Sequence, residues 1–140
     1  RRSPDPLPFA GALEISATKT GRGTHVLHTF FQMEDGSFLA FFDDPNTPFD
    51  FKAQRDFDLH IALEVDHQRL EPMLERGRDA GIESRGISDH GFIDSIYFRD
   101  PNGYVIELTA KRPGQEGNVG DEGDPHEILK KWTRDKAANQ

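Results

Sequence analysis

A chain of 140 residues with 34% apolar and 30% charged side chains fits one domain with a buried core and some solvated tail. Its formal charge of −8 argues against nucleic acid or an anionic membrane as the main partner, and no apolar run reaches the length of a membrane span. There is no cysteine and no opening signal-peptide pattern, which suits a cytoplasmic protein, and any metal must be held by His, Asp or Glu.

In chain order, RRSPDPLPF reads as an irregular lead-in or an extended edge. ALEISATKT (12–20) is a candidate strand closed by a GRG turn at 21–23. HVLHTFFQM (25–33) and FLAFFDD (38–44) are β-branched and aromatic runs, and EDGS between them supplies the Asp-Gly signal of a short hairpin. Residues 44–56 form a Pro/Asn/Asp connection. LHIALEV (59–65) is a strand, followed by a helix with Leu70, Met73, Leu74, Gly77 and Ala80 on one face. Pro72 belongs in the first turn of that helix, Gly77 predicts close approach to a sheet, and Gly81 supplies the stop. GIESRGIS (81–88), FIDSIYFR (92–99) and YVIELTA (104–110) follow as strands, so residues 58 to 110 read β-α-β-β-β. Residues 111–123 read as a linker. Asp124, Pro125 and Glu127 then open a last helix with a capping box, and Ile128 and Trp132 give it an apolar edge for docking.

FFQMEDGSFLAFF can be set beside YFRDPNGYVIEL with Gly36 on Gly103. Ser95 then lies on His28, Tyr97 on Phe30, Arg99 on Gln32 and Glu107 on Ala40. The first part of the chain therefore reads as a second, incomplete copy of the β-α-β-β-β unit, because no helix and no counterpart of LHIALEV precede residue 12.

Side chains alternate across a strand, so each strand divides into two rows. Ile61, Leu63 and Val65, Ile96 and Phe98, and Tyr104, Ile106 and Leu108 suit the helix side. His60, Tyr97 and Glu107 then share the opposite side of the sheet. A polar face exposed to water would explain each of them singly. Together they outline a ligand-lined concavity, in which a cation would compensate a carboxylate removed from water.

These features resemble the vicinal oxygen chelate superfamily, which includes the glyoxalases, the fosfomycin and bleomycin resistance proteins and the extradiol dioxygenases. The resemblance covers residues 12 to 110 and is most specific from Tyr97 to Leu108. It implies an α+β fold of paired βαβββ modules forming a half-barrel sheet with helices outside, the first module lacking its opening strand and helix. The boundaries are 1–110 for this domain, with a partial first module at 1–50 and a second at 57–110, and 111–140 for linker and helix. By the same resemblance His60 and Glu107 are metal ligands, and a third, a His, belongs to a strand upstream of Arg1. Ala40 replaces the second carboxylate of the lactoylglutathione lyases, which favours a two-His, one-Glu site. Tyr97 and His90 match the catalytic Tyr and the acid–base His of the dioxygenases, while His28 and Phe30 are substrate-side residues. The implied function is a dioxygenase-like enzyme for a small aromatic diol or similar oxygen chelator, with iron(II), or else manganese, zinc or magnesium, in a homodimer. The alternatives are a resistance-type transferase or lyase, and a metal-free protein that sequesters a small ligand.

Overall fold

The computed structural model describes residues 7–48, 50, 53, 55–114, 117 and 123–138. The chain divides into two compact units, Arg1–Ala53 and Gln54–Gln140. The first carries a three-stranded antiparallel sheet in the order β1 (Phe9–Ala17), β2 (Gly23–Gln32), β3 (Phe38–Asp43). Its strand ends depart from the sequence expectation, and at three of them the local reason is visible. β1 begins within the proline-rich lead-in because the Pro8 carbonyl accepts the N–H of Gln32 at 3.0 Å. It ends early because Thr18 and Arg22 close the turn between them, Thr18 N–H donating to the Arg22 carbonyl at 2.9 Å. β3 ends at Asp43 because the Asp44 carboxylate takes the Asn46 N–H at 3.1 Å and the Thr47 hydroxyl at 2.7 Å, folding the chain into a turn. Register shifts between Phe9 and Gly11 and between Ile15 and Ala17 mark irregularities in the β1–β2 ladder.

The second unit contains β4 (His60–Glu64), a 3₁₀ turn (His67–Arg69), α1 (Leu70–Asp79), β5 (Ser84–Asp89), β6 (Ile93–Arg99), β7 (Val105–Lys111) and α2 (Pro125–Ala138). The sheet order is β4-β7-β6-β5, with β4 and β7 parallel and the other neighbours antiparallel. A parallel β4–β7 pair needs a crossover, and the chain between them supplies it with α1 and the β5–β6 hairpin. Pro72 falls in the first turn of α1, where its missing N–H would have no helical partner. After the helix, Gly81 N–H donates to Arg78 and Ile82 N–H to Gly77, so β5 starts at Ser84 rather than at 81.

Leu70 and Leu74 of α1 pack with Ile96, Leu108 and Ala110 of the sheet, and Leu63, Val65, Met73 and Phe98 surround them. The helix-side rows expected from alternation are therefore largely the ones in the core. Gly77 lies against the Phe98 ring, where an added Cβ would come closer than real side-chain contacts allow. In α2, Asp124 caps the helix by accepting the His126 N–H at 2.9 Å, while Glu127 takes Lys130 at 2.7 Å. Residues 1–6 of the lead-in and 115, 116 and 118–122 of the expected linker lie outside the described residues. Among the described residues no helix is long and apolar enough to cross a membrane.

Candidate functional site

Register alone brings three of the expected side chains onto one face of the second unit's sheet, and a loop adds a fourth beside them. His60 pairs with Val105 across the parallel β4–β7 ladder, and Ala62 pairs with Glu107. Tyr97 on β6 pairs with Glu107 on β7. Paired residues on neighbouring strands point the same way, so His60, Glu107 and Tyr97 project together, away from α1. His60 Nε2 lies 2.7 Å from Glu107 Oε2. The Tyr97 ring stands edge-on to the His60 ring at 6.0 Å. His90, in the loop between β5 and β6, places Nε2 2.7 Å from the Tyr97 hydroxyl.

Glu107 accepts its neighbours under opposing influences. Partial burial works against its charge, but hydrogen bonds from Ser95 and His60, the His60 charge and the Tyr97 hydroxyl outweigh it. The net effect holds the carboxyl below its ordinary range. Burial and then the adjacent Glu107 charge push the Tyr97 phenol up, against the pull of Arg85, whose guanidinium lies 4.7 Å over the ring. Tyr97 thus keeps its proton and can donate it to Glu107. The Tyr97 oxygen also lies within hydrogen-bonding distance of His90, with the donor of that pair set by the histidine tautomer. Ser95 is fully buried beside this face and reaches Thr109 Oγ1 at 3.2 Å.

His28 and Phe30 lie in the first unit, on β2, where their rings stand 4.2 Å apart. His28 also stacks on Phe42 at 3.9 Å, so the ring is engaged in an aromatic cluster of its own sheet. Ala40 pairs with Phe30, at the register position that Glu107 and Tyr97 occupy in the second unit. Among the described residues no group of three or more His, Asp or Glu side chains is placed to hold a metal. Asp56 is the residue beside His60 that periodicity did not single out. It lies in an irregular turn, where neither alternation nor helical spacing gives a signal.

Neither a protein-family model nor a curated protein matches the chain. Solved structures do. A glyoxalase family protein from Bacillus cereus superposes with a TM-score of 0.56 at 20% identity, covering 75% of this chain and 78% of that one. A glyoxylase/bleomycin resistance protein/dioxygenase domain from Frankia sp. EAN1pec gives 0.54 at 18% identity, with coverage of 66% and 74%. The fosfomycin resistance protein FosX from Listeria monocytogenes, in complex with Mn(II) and sulfate, gives 0.49 at 24% identity, with coverage of 74% and 75%.

Proposed function

We propose that this chain, which has the α+β fold of the vicinal oxygen chelate superfamily, is a divalent-metal-dependent enzyme for small oxygen-chelating substrates, of the aromatic-diol dioxygenase type. The observation that carries the reading is the convergence of His60 Nε2 and Glu107 Oε2 at 2.7 Å from parallel neighbouring strands. Both ring nitrogens of His60 face oxygen acceptors, Asp56 O at 3.3 Å and Glu107 at 2.7 Å. A hydrogen therefore occupies the space between His60 and Glu107. A cation replacing it meets an imidazole lone pair and a carboxylate oxygen already aimed at one point, a donor set that suits iron(II), manganese or zinc. These residues fit a metal as two of its ligands.

When bound, such an ion polarises adjacent substrate oxygens and stabilises negative charge on them, and iron(II) also supports oxygen chemistry. The protein's own part is positional. Ser95 and Tyr97 hold Glu107 ionised by hydrogen bonds. Tyr97 presents a hydroxyl that keeps its proton next to the ligands, and His90 supports that oxygen from the loop, where it can exchange a proton with solvent.

The test is elemental analysis of purified protein together with melting curves in iron(II), manganese(II) and zinc(II). A metal-dependent rise in Tm that disappears in Glu107→Gln is the expected result. Under oxygen, a catechol panel should then give yellow ring-opened product, and a colourless panel with bound metal would move the assignment to a transferase or lyase. A second reading, a metal-free binding protein, is favoured by the two-residue donor set among the described residues. It stands alone if no metal is found and none shifts the melting curve. Pairing of subunits belongs to the same proposal, and light scattering at the monomer mass of 15.8 kDa would remove it.

A further inference from the structure

Around His60, one charged group ties together three segments of the second unit. Asp56 lies on the turn just before β4, and its carboxylate bridges two guanidinium groups. Oδ2 accepts from Arg85 Nη1 at 3.0 Å and Oδ1 accepts from Arg99 Nη2 at 2.6 Å. Arg85 comes from β5 and Arg99 from β6, the strand that carries Tyr97. The same residue's main-chain oxygen lies 3.3 Å from Nδ1 of His60. Asp58 closes the turn on itself, accepting the Arg55 N–H at 2.8 Å while its own N–H donates to the Arg55 carbonyl at 3.1 Å.

We infer that Asp56 is the positioning residue for His60: the Arg85 and Arg99 guanidiniums fix its side chain and so hold its carbonyl against Nδ1, which leaves Nε2 as the nitrogen offered to a cation. The inference rests on the metal-dependent reading above. Its physical basis is that an imidazole binds metal through one nitrogen only when the other carries the hydrogen. A carbonyl oxygen can only accept, so whatever sits at Nδ1 against it must be N–H. Partners of this kind, one step behind a ligand, set the tautomer and the ring orientation. The Arg55–Asp58 bonds close the turn but do not touch the Asp56 side chain, whose anchors among the described residues are Arg85 and Arg99. Of the two anchors, Arg99 is the stronger. Its side chain is 23% exposed against 61% for Arg85, so water screens it less. Arg99 is also fixed from behind, donating to the Gly103 carbonyl at 2.8 Å.

The experiment compares the full chain with Asp56→Ala and with Glu83→Ala, which removes the other carboxylate near Arg99, at 3.5 Å from its Nε. Zinc(II) and manganese(II) affinities by calorimetry should fall roughly 10- to 100-fold in Asp56→Ala and stay unchanged in Glu83→Ala. Independently of metal, ¹⁵N-histidine-labelled protein at about pH 6 should show a slowly exchanging Nδ1–H of His60. That resonance should vanish into solvent exchange in Asp56→Ala. Arg85→Ala, which removes the more exposed anchor, gives a milder variant that should move both readouts in the same direction. Unchanged affinity with an unchanged resonance in Asp56→Ala overturns the positioning role while the metal reading stands. A parent that binds no metal overturns the metal reading, and the resonance then decides the positioning role alone.

Discussion

Set side by side, the β2–β3 and β6–β7 hairpins share one backbone plan and differ in what they carry on it. In the first, Met33 N–H donates to Ser37 at 2.8 Å and Gly36 N–H to Met33 at 3.0 Å. In the second, Asp100 N–H donates to Tyr104 at 3.0 Å and Gly103 N–H to Asp100 at 3.0 Å. Gly36 and Gly103 sit at φ 85° and 87°, a conformation that costs a side-chain-bearing residue strain and costs glycine none. The ladders match as well: Phe30 faces Ala40 where Tyr97 faces Glu107, and Phe31 faces Leu39 where Phe98 faces Ile106. A hairpin plan therefore carries no chemistry by itself. The candidate site arises where that plan is combined with Tyr97, Glu107 and a parallel neighbour strand that supplies His60.

The two copies also differ in what stabilises them, and the sharpest way to expose this is to remove packing from each. Leu70 is fully buried between α1 and the second sheet, so Leu70→Ala should cost about 2–5 kcal/mol in urea denaturation. Among the described residues of the first unit none is buried, so Phe30→Ala should cost distinctly less. Equal losses would break the contrast and show that the first sheet is as tightly packed as the second. Gly77→Ala probes the same helix–sheet contact from the other side. Crowding against the Phe98 ring should cost about 1–3 kcal/mol, partly offset by about 1 kcal/mol of helix propensity. A variant as stable as the parent would show that the Phe98 ring yields freely.

Much of this contrast is legible in the sequence, and the rest is not, for reasons that differ by residue. Alternation in HIALE, SIYFR and VIELT is enough to put His60, Tyr97 and Glu107 on one face, because a half-covered sheet leaves each strand one apolar row. Gly77 and Gly81 announce themselves since only a close approach and a positive φ favour glycine at those places. The parallel pairing of β4 with β7, which makes the His60–Glu107 contact, is a non-local event that no window of sequence contains. Asp56 is hidden for a related reason: its partners, Arg85 and Arg99, are 29 and 43 residues away. Strand ends differ from the sequence pattern where a side chain captures the backbone first, as Asp44 does after β3.

The turns themselves give the smallest effects and the finest comparison. Asp100 Oδ1 accepts two backbone N–H groups, from Asn102 at 2.9 Å and Tyr104 at 2.8 Å. Asp100→Ala should cost about 1–2 kcal/mol, near the sum of two ordinary hydrogen bonds. Asp35 at the other turn accepts one backbone N–H, from Ser37 at 2.9 Å, and the Ser37 hydroxyl. Its carboxyl is exposed, and Asp35→Ala should cost less than Asp100→Ala. The Ser37 hydroxyl, followed by the Ser37 N–H, holds the Asp35 carboxyl below its ordinary value in the folded chain. A depressed acid contributes its full stability above the pKa of the unfolded chain, and that contribution is lost as pH falls through the folded value. Stability measured from neutral pH down through the carboxylate range should therefore fall less steeply in Asp35→Asn than in the parent. Identical slopes would mean that the Ser37 contacts do not distinguish ionised from neutral Asp35, and that this turn is held by Gly36 and its backbone bonds alone.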